Sequence, residues 1–293
     1  MNKVFHGAGV ALITPFLSDL QIDYTSLAKL VDAQIENHMD FLVVLGTTAE
    51  TATLSQAEKQ SLVDFVIART AGKIPVMVGV GGNSTSDVID QLKALNFQKA
   101  DGILSVVPYY NKPSQEGIYR HFMVIAAACP LPVVLYNVPG RTSTNMNAET
   151  TLRLAHDAAN IVGTKEASGN FGEIIKILKG KPARFSLITG DDNLIVPTTS
   201  LGGEGVISVI ANLAPRLVSA MTHYALNGDY SSAAAIQLDM QSLVEDLFAE
   251  GNPPGIKAAM HSVGMCENIV RLPLVPVSEK LYKSLADKTK KIL

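Results

Sequence analysis

Cysteine occurs only twice among the 293 residues, at Cys129 and Cys266. That count excludes a disulfide framework and a cysteine-rich zinc site. Two thiols in so long a chain fit a reducing cytoplasm. Charge is also scarce: 17% of residues are Asp, Glu, Lys or Arg, where about 25% is usual. The net charge of −3 argues against a nucleic-acid partner. No apolar run reaches 18 residues, so neither a transmembrane helix nor a membrane partner is expected. The short apolar run at residues 9–17 contains Pro15, and no A-x-A site follows. It reads as a buried first strand rather than a signal peptide. G-x-S-x-G and a complete G-x-G-x-x-G are both missing, which removes the usual marks of a serine hydrolase and of a dinucleotide site.

What the chain has is apolar substance: 47% of its residues are hydrophobic. That supports a large core and excludes disorder. The excess also suggests that some apolar surface is covered by another subunit. Eight short apolar runs recur, at residues 9–15, 41–48, 75–82, 102–111, 133–140, 161–168, 185–192 and 204–210. They are near-continuous in Val, Ile and Leu, as parallel strands buried on both faces are.

Each gap is long enough for a crossover helix, and the gaps read as helices. Leu27, Leu30, Val31 and Ile35 follow the 3.6-residue period. Ser55-Gln56-Ala57-Glu58 is a capping box. Ser84–Asp87 and Asn147-Ala148-Glu149 are further helix starts. The predicted class is α/β, a (β/α)8 TIM barrel over residues 1–225. Strand signals then stop. Helices are expected over 229–250, 254–264 and 276–293, a C-terminal extension spanning 226–293.

Barrels of this kind carry their active sites at the C-terminal ends of the strands. Those ends hold Thr47, Thr48 and Glu50; Gly81, Gly82 and Asn83; Tyr109, Tyr110 and Asn111; Tyr136, Asn137 and then Arg141; Lys165 and Glu166; and Gly190, Asp191 and Asp192. No histidine or cysteine is among them. Five histidines (38, 121, 156, 223 and 261) fall in segments read as helical, and His6 precedes the first strand. A zinc site is therefore not expected. Proton transfer falls to tyrosine and threonine hydroxyls or to a carboxylate.

Lys165 is the most informative of these residues. It shares parity with Ile161 and Gly163, while Val162 and Thr164 point the other way, and a lysine on a barrel strand can point into the barrel, where charge is costly. An exposed lysine has a pKa near 10.4, so about one amine in 10³ is a neutral nucleophile at pH 7. Burial against apolar walls favours the neutral form, which is how Schiff-base lysines are made. The competing reading is a solvent-facing lysine, or one paired with Glu166. Tyr136 ends the neighbouring strand, where its hydroxyl would lie beside the lysine; it would equally serve as an interior aromatic. Thr47 and Thr48 would bind substrate or merely end a strand. Arg141 suits a carboxylate substrate through its planar fork, or is a surface loop residue.

Six segments together resemble the dihydrodipicolinate synthase family of pyruvate-dependent Schiff-base aldolases. They are GTTAET (46–51), PYYNKPSQEG (108–117), LYNVPGRT (135–142), GTKEASGN (163–170), TGDD (189–192) and GGEGVISV (202–209). The resemblance implies condensation of pyruvate with L-aspartate 4-semialdehyde, an early step of lysine biosynthesis, with no metal or organic cofactor. It implies that Lys165 forms the Schiff base, that Tyr136 relays protons, and that Thr47 links Tyr136 to Tyr110. It assigns Thr48 to the pyruvate carboxylate, Arg141 to the semialdehyde carboxylate, and the main chain of Gly190 and Ile207 to the site wall. The Tyr110 position crosses a dimer interface in the family, which implies a homo-oligomer, at least a dimer and as a rule a tetramer built as a dimer of dimers.

A lysine-feedback cleft would include Ala52, Asn83 and Tyr109. There Lys59 replaces a histidine common in feedback-sensitive members, so weak inhibition is expected. N-acetylneuraminate lyase and the keto-sugar-acid aldolases are sibling alternatives; Arg141 and the double tyrosine 109–110 favour the synthase. A phosphosugar enzyme is disfavoured because Glu204 would repel phosphate. Two departures stand out. Ala49 replaces a glycine and is strained only if its φ is positive. Gly255 replaces a proline, with local stiffness as the expected consequence.

Overall fold

A computed structural model describes residues 5–97 and 99–293. Eight parallel strands close into a barrel in sequence order: β1 (Gly7–Ala11), β2 (Phe41–Val44), β3 (Val76–Gly79), β4 (Gly102–Val106), β5 (Val133–Asn137), β6 (Ile161–Glu166), β7 (Ser186–Thr189) and β8 (Gly205–Ser208). Each lies in or overlaps one of the eight apolar runs. The strands are shorter than the runs because the chain turns at the barrel mouth. After β2, Leu45 takes φ 58° and breaks the extended backbone. Gly79 makes room for that bend, since a Cβ there would stand 2.0 Å from the Leu45 carbonyl oxygen.

Twelve α-helices surround and extend the barrel among the described residues: α1 (Tyr24–Glu36), α2 (Gln56–Thr70), α3 (Thr85–Ala94), α4 (Gln115–Ala128), α5 (Pro139–Thr142), α6 (Ala148–Asp157), α7 (Phe171–Gly180), α8 (Ile195–Ser200), α9 (Pro215–Leu226), α10 (Tyr230–Ala249), α11 (Pro254–His261) and α12 (Glu279–Ile292). The start signals act as expected. Ser55 and Glu58 form a reciprocal capping box on α2. Ser84 caps α3 and Asn147 caps α6 through their side-chain oxygens. His38 corrects the helical reading of five histidines: it lies in the turn just beyond α1, at φ 58°. The last two helices are also shorter than expected. The start of α12 waits for the Ser278 cap, and α11 stops at His261, with Gly264 at φ 75° beyond it. No helix among the described residues is long and apolar enough to cross a membrane.

Two apolar cores result. A large one lies between strands and helices and includes Val10, Leu42, Val78, Ile103 and Leu135. A smaller one fills the barrel and includes Phe41, Met77, Val134, Tyr136, Ile188 and Ile207. The helix pair α10 and α11 packs closely. A Cβ on Gly255 would stand 2.1 Å from the Leu247 carbonyl oxygen. Gly255 therefore permits a backbone contact, which corrects the expectation that it alters stiffness alone.

Candidate active site

β6 delivers Lys165 to the barrel interior. Its in-register partners are Tyr136 on β5 and Ile188 on β7, both members of the interior core. The expected parity fails nearer the start of the strand. Val133 pairs with Ile161 but Val134 pairs with Gly163, so β6 carries an extra residue there. This irregularity sends Ile161 to the outer core, while Val162 packs against the inner one. Beyond it the alternation resumes and Lys165 faces inward.

Lys165 is 5% exposed, and its Nζ lies 4.5 Å from the centroid of the Tyr136 ring. Gly190 supplies the space on the other side. A Cβ there would stand 2.8 Å from Lys165 Cε and 2.7 Å from Ala167 Cβ. Glu166 faces away and has partners of its own. Its carboxylate accepts from Asn137 Nδ2 at 3.1 and 3.2 Å and from the Ser168 amide at 2.8 Å. Among the described residues no ion pair joins it to Lys165.

The two aspartates after β7 behave differently. Burial pushes the Asp191 carboxyl up to about 6, against the pull of the Lys165 ammonium. Burial also raises Asp192, which nonetheless accepts from the Val209 and Ile210 amides at 3.1 and 3.0 Å. Asp192 thereby ties the end of β7 to the end of β8.

A cavity of about 610 Å³ opens over Tyr136 and is also lined by Thr47, Glu50, Val138, Arg141 and Asn252. Arg141 sits exposed on α5, its Nη2 3.4 Å from the Asn252 carbonyl oxygen. Thr48 is buried, and its hydroxyl oxygen accepts from Asn252 Nδ2 at 3.0 Å. Ile207 is fully buried within the barrel. Ala52, Asn83 and Tyr109 line the outer part of the same cavity, together with Lys59 and Asp87. Tyr110 stands apart. It is 85% exposed at φ 78°, and among the described residues no hydrogen bond joins it to Thr47 or Tyr136. Nor do the described residues include a group of three or more His, Cys, Asp or Glu able to hold a metal.

Ala49 is not strained. It lies in the 3₁₀ turn Thr47–Ala49, and the next residue, Glu50, takes the left-handed conformation at φ 55°. Sequence reading missed the partner of Glu50. Its carboxylate is paired with Lys257 Nζ at 2.5 Å, and both side chains are 0% exposed. Asn252 and Lys257 belong to the segment leading into and along α11, so the C-terminal helices reach into the mouth. One signal was available: Lys257 is a lone lysine in a helix that is otherwise apolar up to His261, and lysine is almost never fully buried without a partner.

Comparison with known proteins shows the family of the chain. The model of the dihydrodipicolinate synthetase family matches residues 4–292. The chain belongs to that family. A 4-hydroxy-tetrahydrodipicolinate synthase from Parabacteroides distasonis is 53% identical over 281 residues, covering 96% of this chain and 95% of the relative. Dihydrodipicolinate synthase from Aquifex aeolicus superposes with a TM-score of 0.94 at 40% identity, covering 98% of each chain. The chloride-inhibited synthase from Acinetobacter baumannii, solved with pyruvate, superposes with a TM-score of 0.95 at 38% identity, also covering 98% of each. Family members of this name are lyases, and the chain is an enzyme of that class.

Proposed function

We propose that the chain condenses pyruvate with L-aspartate 4-semialdehyde through a Schiff base on Lys165. The observation that carries this reading is Lys165 itself: a buried lysine facing inward, beside Tyr136, in a chain of this family. Its neutral amine attacks the pyruvate carbonyl, and loss of water gives the imine. The protonated imine draws electrons from the adjacent methyl group. Loss of a methyl proton leaves an enamine, whose carbon attacks the aldehyde of the second substrate. The substrate's own amine then attacks the imine carbon, which closes the ring and frees Lys165.

Tyr136 relays the protons. Thr48 holds the pyruvate carboxylate, and Arg141 takes the semialdehyde carboxylate with its two-pronged guanidinium. The main chain of Gly190 and Ile207 walls the site. Thr47 continues the hydroxyl chain toward the Tyr110 of a second subunit. The exposure of Tyr110 supports that role, and with it a homo-oligomer, a dimer of dimers. The proposed place of work is the cytoplasm, with residues 1–225 as the barrel and 226–293 as its helical extension. Arg141 at the cavity wall favours the synthase over a sugar-acid aldolase. An assay of pyruvate with L-aspartate 4-semialdehyde and, separately, with N-acetylmannosamine tests the choice. Turnover with the semialdehyde alone is expected; turnover with the sugar alone would overturn the reading.

A further inference from the structure

We infer that the buried Glu50–Lys257 ion pair is a positioning device that sets the turn Thr47–Ala49 for the substrate carboxylate. The inference rests on the assignment of that turn to pyruvate binding.

The pair is buried, and each partner has a further contact. Besides Glu50, Lys257 Nζ donates to the Ile269 carbonyl at 2.9 Å and stands 4.2 Å from the Phe16 ring centroid. The other oxygen of Glu50 accepts from the Arg271 amide at 2.8 Å. The Arg271 guanidinium stacks on the same Phe16 ring at 4.3 Å and pairs with Glu58. Three separate parts of the chain thus meet around the pair: the loop after β1, the mouth turn after β2, and the stretch around α11.

Within the loop, Thr51 Oγ1 donates to the Gly46 carbonyl at 2.8 Å and Thr53 Oγ1 to the Glu50 carbonyl at 2.9 Å. Thr47–Ala49 is a single 3₁₀ turn between Leu45 at φ 58° and Glu50 at φ 55°. Two left-handed residues so close together are held against their own preference, so something must hold them. On the inner side, Thr14 Oγ1 donates to the Ala49 carbonyl at 2.8 Å. From the C-terminal part of the chain, the Glu50 carboxylate is held by Lys257 and by the Arg271 amide. Asn252, on the approach to α11, reaches Thr48 directly. Lys257 and Asn252 thus give α11 and its approach two separate contacts with the turn. An ion pair suits this task better than an apolar contact, because it fixes direction as well as distance.

The test uses the full chain and two variants, Glu50→Asp and the double variant Glu50→Gln/Lys257→Met. The double variant removes both charges, so neither is left buried alone. Steady-state kinetics are read for each substrate, alongside thermal melting. A positioning role predicts a pyruvate KM raised about 10-fold or more in the double variant. The KM for the semialdehyde rises less than that for pyruvate, because Arg141 lies on α5 and meets this segment only at the Asn252 carbonyl, 3.4 Å away. A purely structural role predicts a lower melting temperature with both KM values unchanged, and that result overturns the inference. If the double variant does not fold, Glu50→Asp decides. Its carboxylate is one methylene shorter, and an unchanged pyruvate KM likewise overturns the inference. Failure of the parent to act on pyruvate at all would instead sink the proposed function.

Discussion

The side of Gly190 that a Cβ would occupy faces Lys165: the added atom would lie 2.8 Å from Lys165 Cε. Real Cβ atoms do not approach that closely, so Gly190→Ala displaces the lysine chain. Activity is expected to fall about 100-fold, since small misplacements of a reacting group are costly. Far-UV circular dichroism should be unchanged. An active Gly190→Ala variant would show that Lys165 has more freedom than this packing allows.

A second glycine bears on stability rather than chemistry. Gly255→Ala would drive a methyl group into the Leu247 carbonyl of α10. Backbone on both sides leaves little room to relax. The expected loss is about 2 kcal/mol or more, read as a lower urea midpoint with an unchanged slope. Gly255→Pro, the residue expected from family resemblance, should be no milder here.

Asp191 carries a pH signature. Its carboxyl is raised from 3.8 to about 6, chiefly by burial. A raised acid is easier to keep protonated in the fold, so its stability contribution is greatest below pH 3.8 and is lost as the pH climbs through about 6. Asp191→Asn removes the cost of the buried charge. The variant should melt higher than the parent at about pH 7–8, by up to about 3 kcal/mol. The gap should close as the pH falls from about 6 to about 4. A gap that does not vary with pH would show that Asp191 does not titrate in this window.

Lysine, the expected feedback ligand, should inhibit weakly. Ala52, Asn83 and Tyr109 line the outer cavity, but so does Lys59. A second cation there opposes the ligand's side-chain ammonium by up to about 1 kcal/mol. Steady-state assays should require millimolar lysine or more for half-inhibition. Sub-millimolar inhibition would show that Asp87, on the same wall, outweighs Lys59.

The barrel was legible because its strands are buried on both faces, so each one prints as an apolar run closed by a turn. Strand ends were less legible, since Leu45 and Glu50 adopt left-handed backbone that their residue types do not advertise. Strict alternation along β6 holds for Gly163 and Lys165 and fails for Ile161 and Val162. Pairing of β5 with β6 alone reveals the extra residue. The tie from Thr48 and Glu50 to Asn252 and Lys257 was hidden for a different reason. The partners stand 204 and 207 positions apart in sequence, and only the closed fold brings the last helices to the mouth of the second strand.

Lys165 as nucleophile is open to chemical trapping: incubation with pyruvate, reduction with borohydride and peptide mass mapping. A reduced pyruvyl adduct is expected on the peptide bearing Lys165, and none in Lys165→Arg. An adduct on another lysine, or full activity with Lys165 unmodified after exhaustive trapping, would contradict it.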